Sequence, residues 1–141
     1  MHNPLLGPVV ALVIWTLLML VWLAATRLPA LKRAGIEPPP GSRGVDLERA
    51  VPGKVNWPAH NYAHLHEQPT LFYAIVLTLV AMGDHMTLNL ALAWAYVAIR
   101  IVHSLVQATS NVVRVRFALF MLSTLCLAAL TLHATISLLH G

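Results

Sequence analysis

The sequence predicts an all-α integral membrane protein, a bundle of four transmembrane helices that forms a single domain over residues 1–141. Three observations predict this fold. Hydrophobic residues make up 58% of the chain and charged residues only 10%, whereas soluble domains contain roughly a quarter charged residues. The mean hydropathy is +0.72. The apolar residues fall into long runs separated by polar turns, which is typical of helices that cross a bilayer.

The charged residues and the cysteine exclude several other classes of protein. The nine basic residues give a net charge of +4, but they form no run with interleaved aromatic residues, so nucleic acid is not expected as a partner. The single cysteine, Cys126, excludes a disulfide within the chain. It lies in an apolar run, where a thiol behaves as a small hydrophobic group. The lipid bilayer is therefore the first partner that the sequence predicts.

The first helix is predicted over residues 5–33. Its apolar part, residues 5–25, is about 30 Å long, which matches the hydrocarbon core of a bilayer. The segment before it carries no Lys or Arg, unlike a secretory signal, so we expect a retained helix. A long loop over residues 35–55 follows, because the prolines at 38–40 cannot continue a helix. Loops of this length are usually functional, and a solvated connector is the alternative.

Three further helices are predicted over residues 58–82, 86–109 and 112–139. Short polar turns separate them. Pro69 lies inside the second helix and frees a backbone carbonyl, so we expect the helix to bend around a polar pocket.

The basic residues predict the orientation of the bundle. Six of the nine lie between residues 27 and 54, and Arg114 and Arg116 follow the turn between the third and fourth helices. In a four-helix topology these two connections lie on the same side of the membrane, which the positive-inside rule assigns to the cytoplasm. The long loop is therefore expected in the cytoplasm and both termini outside.

Polar side chains share one face on each of the second and third helices. The second helix contributes His60, His64 and Glu67, and the third contributes Arg100, His103 and Gln107. Glu67 and Arg100 both lie about 13–16 Å inside the bundle from the same side. Their charges are expected to face each other, in the bundle or across a subunit contact, and to pair directly or through a ligand. The alternative is that these polar side chains only hold the helices together by hydrogen bonds.

Three segments resemble the MAPEG family, the membrane-associated proteins of eicosanoid and glutathione metabolism, and in particular its bacterial branch. They are EQPTLFY at residues 67–73, LAWAYVAIRIVHS at 92–104 and NVVRVRF at 111–117. The likeness covers nearly the whole chain. It implies a homotrimer of four-helix protomers in a bacterial inner membrane, with glutathione as cosubstrate bound between subunits near the cytoplasmic end.

The resemblance also implies roles for individual residues. Glu67 matches a glutamate that holds glutathione, and Arg100 matches a third-helix arginine. Arg114 matches an arginine that stabilises the thiolate in some members, and Arg33 is the second candidate for that role. Four positions of the expected glutathione contact set differ from glutathione-using members: His60 replaces an arginine, His64 an asparagine, and His103 and Gln107 two tyrosines.

A metal site is an alternative for part of this set. His60 and His64 have the i, i+4 spacing of metal-binding pairs, and Glu67 could supply a third ligand. Because the resemblance already accounts for these positions, no metal is predicted.

The implied activity is glutathione conjugation or peroxide reduction with lipophilic small molecules that arrive from the lipid phase. The thiolate is the nucleophile, and a nearby arginine favours its formation. The alternative is a non-enzymatic lipid-binding or scaffold membrane protein, because the family includes a lipid-presenting scaffold without transferase activity. A change in the residues that contact glutathione is what a loss of transferase activity would look like.

The orientation can be tested with a reporter enzyme that is active only in the cytoplasm. Fused to the C-terminus, it should give low activity, because the positive-inside rule places this terminus outside. High activity of the fusion would reverse the assignment.

Overall fold

Residues 2–51 and 53–140, which the computed structural model describes, contain six α-helices and no strand. In chain order the α-helices are α1 (Leu6–Arg33), α2 (Gly44–Ala50), α3 (Trp57–His64), α4 (Gln68–Ala81), α5 (Thr87–Thr109) and α6 (Val113–His140). A 3-10 turn, Lys54–Asn56, leads into α3. The helices predicted over 5–33, 86–109 and 112–139 are found within one or two residues of these bounds.

Three of the described helices, α1, α5 and α6, are long and apolar enough to cross a membrane. The chain is therefore an integral membrane protein. α5 packs along α6, while α1 packs against α3, α4 and α5. The core lies where α1, α4, α5 and α6 meet. Its centre is a stacked pair of rings, Phe72 on α4 and Tyr96 on α5, with centroids 4.3 Å apart. Both rings are fully buried.

The turns that end α4 and α5 explain why these helices stop where they do. Gly83 has a φ of 73° and Asn111 a φ of 53°, in the left-handed region that glycine and, less often, asparagine adopt. The amide of Asp84 donates to the carbonyl of Leu79, and the amide of Asn111 donates to that of Val106. Each bond satisfies a carbonyl that the helix end would leave unpaired.

The second predicted helix, 58–82, is wrong as a continuous element. The chain forms α3, of eight residues, and α4, of 14 residues, with a break at residues 65–67. Glu67 has a ψ of −99°, outside the helical range. Pro69 is the physical reason, because it has no amide hydrogen for the carbonyl of Leu65 and its ring clashes with that carbonyl. The bend expected at Pro69 is thus a full interruption.

The long loop, for which a functional role and a solvated connector were the two alternatives, contains α2 and the 3-10 turn. Arg27, which lies near the end of α1 and is buried, organises it. Its Nη2 donates to the carbonyl of Gly44 at 3.0 Å and to Oδ1 of Asn56 at 3.3 Å, and it lies 3.5 Å from Oε1 of Glu48. The loop therefore folds around a buried cation.

Replacing Arg27 with methionine should detach this loop from α1. Hydrogen bonds to charged groups contribute about 1.5–3 kcal/mol each, so local opening of α2 should become at least about tenfold more frequent. The measurement is the rate of cleavage by a Glu-specific protease after Glu48 in the detergent-solubilised protein.

Arg33→Met is the matched control, because Arg33 lies on the same helix and is exposed. Equal cleavage rates for the two variants would contradict the role assigned to Arg27.

Candidate functional site

A pocket of about 240 Å³ lies where the end of α3, the second half of α5 and the start of α6 meet. Two imidazoles and one guanidinium supply its polar wall, and valine and phenylalanine side chains supply its apolar wall. The lining residues are His64, His103, Val113, Arg116, Phe117 and Phe120. A polar wall opposite an apolar one suits a ligand that joins charged groups to a lipophilic partner.

His64 lies between a carboxylate and a guanidinium. Its Nδ1 is 2.6 Å from Oε2 of Glu67 and its Nε2 is 3.4 Å from Nη1 of Arg100. A guanidinium can only donate hydrogen bonds, so Nε2 accepts in this contact. Nδ1 then carries the hydrogen of the neutral ring and donates it to Glu67. The imidazole is held by both of its nitrogens.

Arg100 is the largest fully buried side chain of the described bundle, with a relative exposure of 0%. Its Nε donates to the hydroxyl of Tyr96 at 3.2 Å, and that hydroxyl donates to Oε1 of Gln68 at 3.3 Å. The amide of Gln68 donates in turn to Thr124 at 2.7 Å. The carbon of the guanidinium also lies 5.6 Å from the ring centroid of Phe120. Polar groups from four helices thus surround one buried charge.

Several buried polar atoms beside this network have no hydrogen-bond partner among the described residues. They lie on α3, α5 and α6: Asn61 Nδ2 and Oδ1, Arg100 Nη2, Ser104 Oγ, Gln107 Oε1 and Arg116 Nε. A buried polar group without a partner costs about 1–3 kcal/mol. This end of the bundle therefore keeps hydrogen-bonding capacity that a polar ligand could use.

The structure brings together only part of the predicted site. His64 and His103 line the pocket, with ring centroids 5.1 Å apart, and Arg100 lies directly behind them. Gln107 is buried on the same helix one turn further but does not line the pocket. His60 lies apart from it, because its Nε2 is 3.1 Å from Oε2 of Glu48 in the loop.

Glu67 and Arg100 do not pair directly within the protomer, and their pairing through a ligand or across a subunit contact stays a prediction. The side chain of Glu67 is 66% exposed and contacts His64. The break at residues 65–67 is the physical reason, because it takes Glu67 out of the helical register of α3. The imidazole of His64 therefore lies between the two charges and joins them.

The two arginines predicted for thiolate stabilisation, Arg114 and Arg33, are both exposed and do not line the pocket. Arg116 lines it instead, and its Nη1 donates to Oδ1 of Asn111 at 2.6 Å. Residues two apart on a helix point in nearly opposite directions, so Arg114 and Arg116 cannot share this wall. A sequence signal was present, since Arg116, Phe117 and Phe120 have i, i+1, i+4 spacing and so share one side of a helix.

No group of three or more His, Cys, Asp and Glu side chains in residues 2–51 and 53–140 is arranged to hold a metal ion. In the pair considered as a metal site, His60 contacts Glu48 of α2 and His64 contacts Glu67.

A comparison with protein families matches residues 5–136 to the MAPEG family. Searches of curated proteins and of solved structures give no significant match.

Tyr96→Phe should destabilise the protein by about 1–2 kcal/mol, because it removes the acceptor of Arg100 Nε and the donor to Gln68 inside the bundle. The ring stacking with Phe72 is preserved. Thermal unfolding in detergent measures the change. Tyr62→Phe is the control, since the hydroxyl of Tyr62 makes no hydrogen bond to the described residues. Equal melting temperatures for the two variants would contradict the network.

Proposed function

Because the chain belongs to the MAPEG family, we propose that it is a membrane-embedded, glutathione-dependent transferase or peroxidase that acts on lipophilic electrophiles. The observation that supports this proposal is the pocket described above, in which His64, His103 and Arg116 lie opposite apolar side chains and in front of the buried Arg100. Glutathione carries an amine, two carboxylates and a thiol, and these groups need both negative and positive partners.

In this proposal the chain crosses the inner membrane four times, and α3 and α4 together form the second crossing. Both helices pack along α1, as two halves of one interrupted helix would. At the break Leu65 is buried, whereas His66 and Glu67 are exposed, so in this proposal water or a neighbouring subunit covers the break in place of lipid. The long loop lies in the cytoplasm with the pocket, following the distribution of basic residues.

The pocket also favours an oligomer. Ligand sites usually measure about 300–1,000 Å³ and bury most of the ligand, whereas this pocket is smaller and open on one side. Glu67 is exposed at its margin. A neighbouring subunit would complete the walls, which agrees with the homotrimer that the family implies. Glu67 would then accept the glutathione amine, and Arg100 would attract a carboxylate.

The thiol of glutathione reacts as the thiolate, and we assign Arg116 to its stabilisation. The guanidinium lines the pocket and its buried Nε has no partner among the described residues. A cation beside the sulfur favours the charged form. Arg114 remains the candidate that the family pattern suggests, and Arg33 the second candidate, from the basic end of α1; both would need a neighbouring subunit to bring them to the site.

Two matched variants test this assignment. Arg116→Ala should lower the rate of conjugation of glutathione with a generic aryl halide by about 100-fold, as the loss of one preorganised charged donor does. Arg114→Ala, two residues away on the exposed side, should change the rate by less than about threefold. The opposite ranking would assign the role to Arg114, and an unchanged rate in both would remove arginines of α6 from the mechanism.

The second candidate function is a non-enzymatic lipid-binding or scaffold protein. The observation that favours it is a difference in residue type: His64, His103 and Gln107 stand at positions where the resemblance leads us to expect an asparagine and two tyrosines that contact glutathione. Glutathione at 100 times its dissociation constant should stabilise a binding protein by about 2.7 kcal/mol, which raises the melting temperature measurably. Stabilisation without turnover would favour the scaffold, and no stabilisation at all would reject the glutathione site.

A further inference from the structure

A second cavity lies between α1 and the break that separates α3 from α4. Its volume is about 210 Å³. Thr16 and two aliphatic side chains of α1 line one wall, and residues on both sides of the break, between Tyr62 and Tyr73, line the other. It shares no lining residue with the pocket described above. This α1 cavity is therefore a separate site.

The residues that line the α1 cavity restrict the charge of a ligand. None of them is Asp, Glu, Lys or Arg. A phosphate, a carboxylate or an ammonium group that leaves water without a partner of opposite charge loses a large amount of free energy. The cavity therefore disfavours phospholipid head groups and ionised fatty acids, and it favours an uncharged ligand.

Two threonine side chains in the α1 cavity have already used their only hydrogen. The hydroxyl of Thr70 donates to the carbonyl of Glu67 at 2.6 Å, and that of Thr16 donates to the carbonyl of Leu12 at 2.9 Å. Each oxygen can therefore only accept a further hydrogen bond. The hydroxyl of Tyr73 lies next to that of Thr16 and shares this acceptor.

His66 and Leu65 add two acceptors at the break itself. Nδ1 of His66 lies 2.8 Å from the carbonyl of Tyr62. A carbonyl only accepts, so Nδ1 carries the hydrogen of the neutral ring and Nε2 holds the lone pair. The carbonyl of Leu65 loses the amide partner that a continuous helix would give it, because Pro69 has no amide hydrogen. The polar part of the cavity is thus rich in acceptors, and a ligand there needs hydroxyl donors.

The size and surroundings of the α1 cavity suit one end of a lipid. Sites that enclose a whole small molecule measure about 300–1,000 Å³, so this smaller cavity has room for a head group alone. Val13 and Leu17 line it and are also exposed on α1. Thr16 lies about 15 Å from the start of α1 at Leu6, within the part that crosses the membrane. An acyl chain can therefore leave the cavity along α1 into the bilayer.

We propose that the α1 cavity binds the head of an uncharged lipid with free hydroxyl groups, such as a monoacylglycerol or a diacylglycerol. The lipid hydroxyls donate to the carbonyl of Leu65, to Nε2 of His66 and to Oγ of Thr70. Hydrocarbon cannot form these bonds, whereas a head with hydroxyl groups does here what water does elsewhere. The inference does not depend on the proposed function, because the cavity lies outside the glutathione pocket.

The experiment measures thermal unfolding of the full chain, without glutathione, in phosphatidylcholine nanodiscs that contain one of three related lipids. Monoolein has two free hydroxyls, methyl oleate has none, and oleate at about pH 9 carries a charge. Monoolein should raise the melting temperature and bind at least about tenfold more tightly than methyl oleate, which cannot donate to the acceptors of the cavity. Oleate should leave the melting temperature unchanged.

Two variants locate the binding site. His66→Phe keeps a ring and removes the Nε2 acceptor, so it should weaken the binding of monoolein by about tenfold. His85→Phe is its control, because His85 is exposed in the turn between α4 and α5, outside the cavity. Thr16→Val should weaken binding by about threefold, and it keeps the proposal testable if His66→Phe does not fold. Thr26→Val is its control, because Thr26 also donates to a carbonyl of α1 but does not line the cavity.

Each contrary outcome has a definite meaning. Equal affinities for monoolein and methyl oleate would overturn the assignment of a hydroxyl-bearing lipid. No stabilisation by any of the three lipids would mean that water or a neighbouring subunit fills the cavity, and it would overturn the inference. Unchanged monoolein binding in both His66→Phe and Thr16→Val would place the lipid elsewhere. A protein that binds monoolein as described but neither binds nor conjugates glutathione would overturn the proposed function alone.

Discussion

The burial of the Arg100 guanidinium is the constraint on which the other polar features depend. An arginine at the centre of a bilayer costs at least about 2.5–3.5 kcal/mol unless its donors find partners. Here the partners come from three other segments: His64 from α3, Gln68 from α4 through Tyr96, and Thr124 from α6 through Gln68. Each partner fixes the rotation of its helix about its own axis. A single buried charge thus specifies the relative rotations of four helices whose apolar surfaces alone would pack in several ways.

The same constraint accounts for the interrupted second helix. A continuous helix over residues 58–82 would keep Glu67 on the face of His64 and place a carboxylate deep in the bundle. The break at residues 65–67 ends α3 just after His64 has reached Arg100, and Glu67 turns outwards to the margin of the pocket. The buried cation then contacts the Nε2 atom of an imidazole, and the carboxylate stays near solvent. Because desolvating an ion pair costs several kcal/mol per ion, this arrangement is favourable, and it leaves the exposed Glu67 available to a ligand.

These features also explain how much could be predicted from the sequence. Apolar run lengths and the left-handed turn residues Gly83 and Asn111 predict the helix bounds well, because both are local properties. The membership of His64, His103 and Arg100 in one cluster also follows from helical spacing. Helical spacing stops being a guide where a helix is interrupted, and Glu67 lies beyond the break in the second helix. Arg114 was assigned from the family pattern, and it follows the turn at Asn111 that separates α5 from α6. Arg27, Asn56 and Asn61 were missed because their burial depends on tertiary packing, which a single sequence does not display.

The helix α3 connects the two buried arginines, although it contains only eight residues. At its start Asn56 accepts a hydrogen bond from Arg27 and donates to the loop carbonyls of Glu48 and Val51. At its end His64 contacts Arg100. A short helix has little stability of its own, so its position is set by these two attachments. The loop and the pocket are therefore both attached to α3. Folding of the loop around Arg27 positions the start of α3. The position of that start determines the depth at which His64 contacts Arg100. The loop is therefore long and polar because the site requires it to position α3, and it does more than connect two helices.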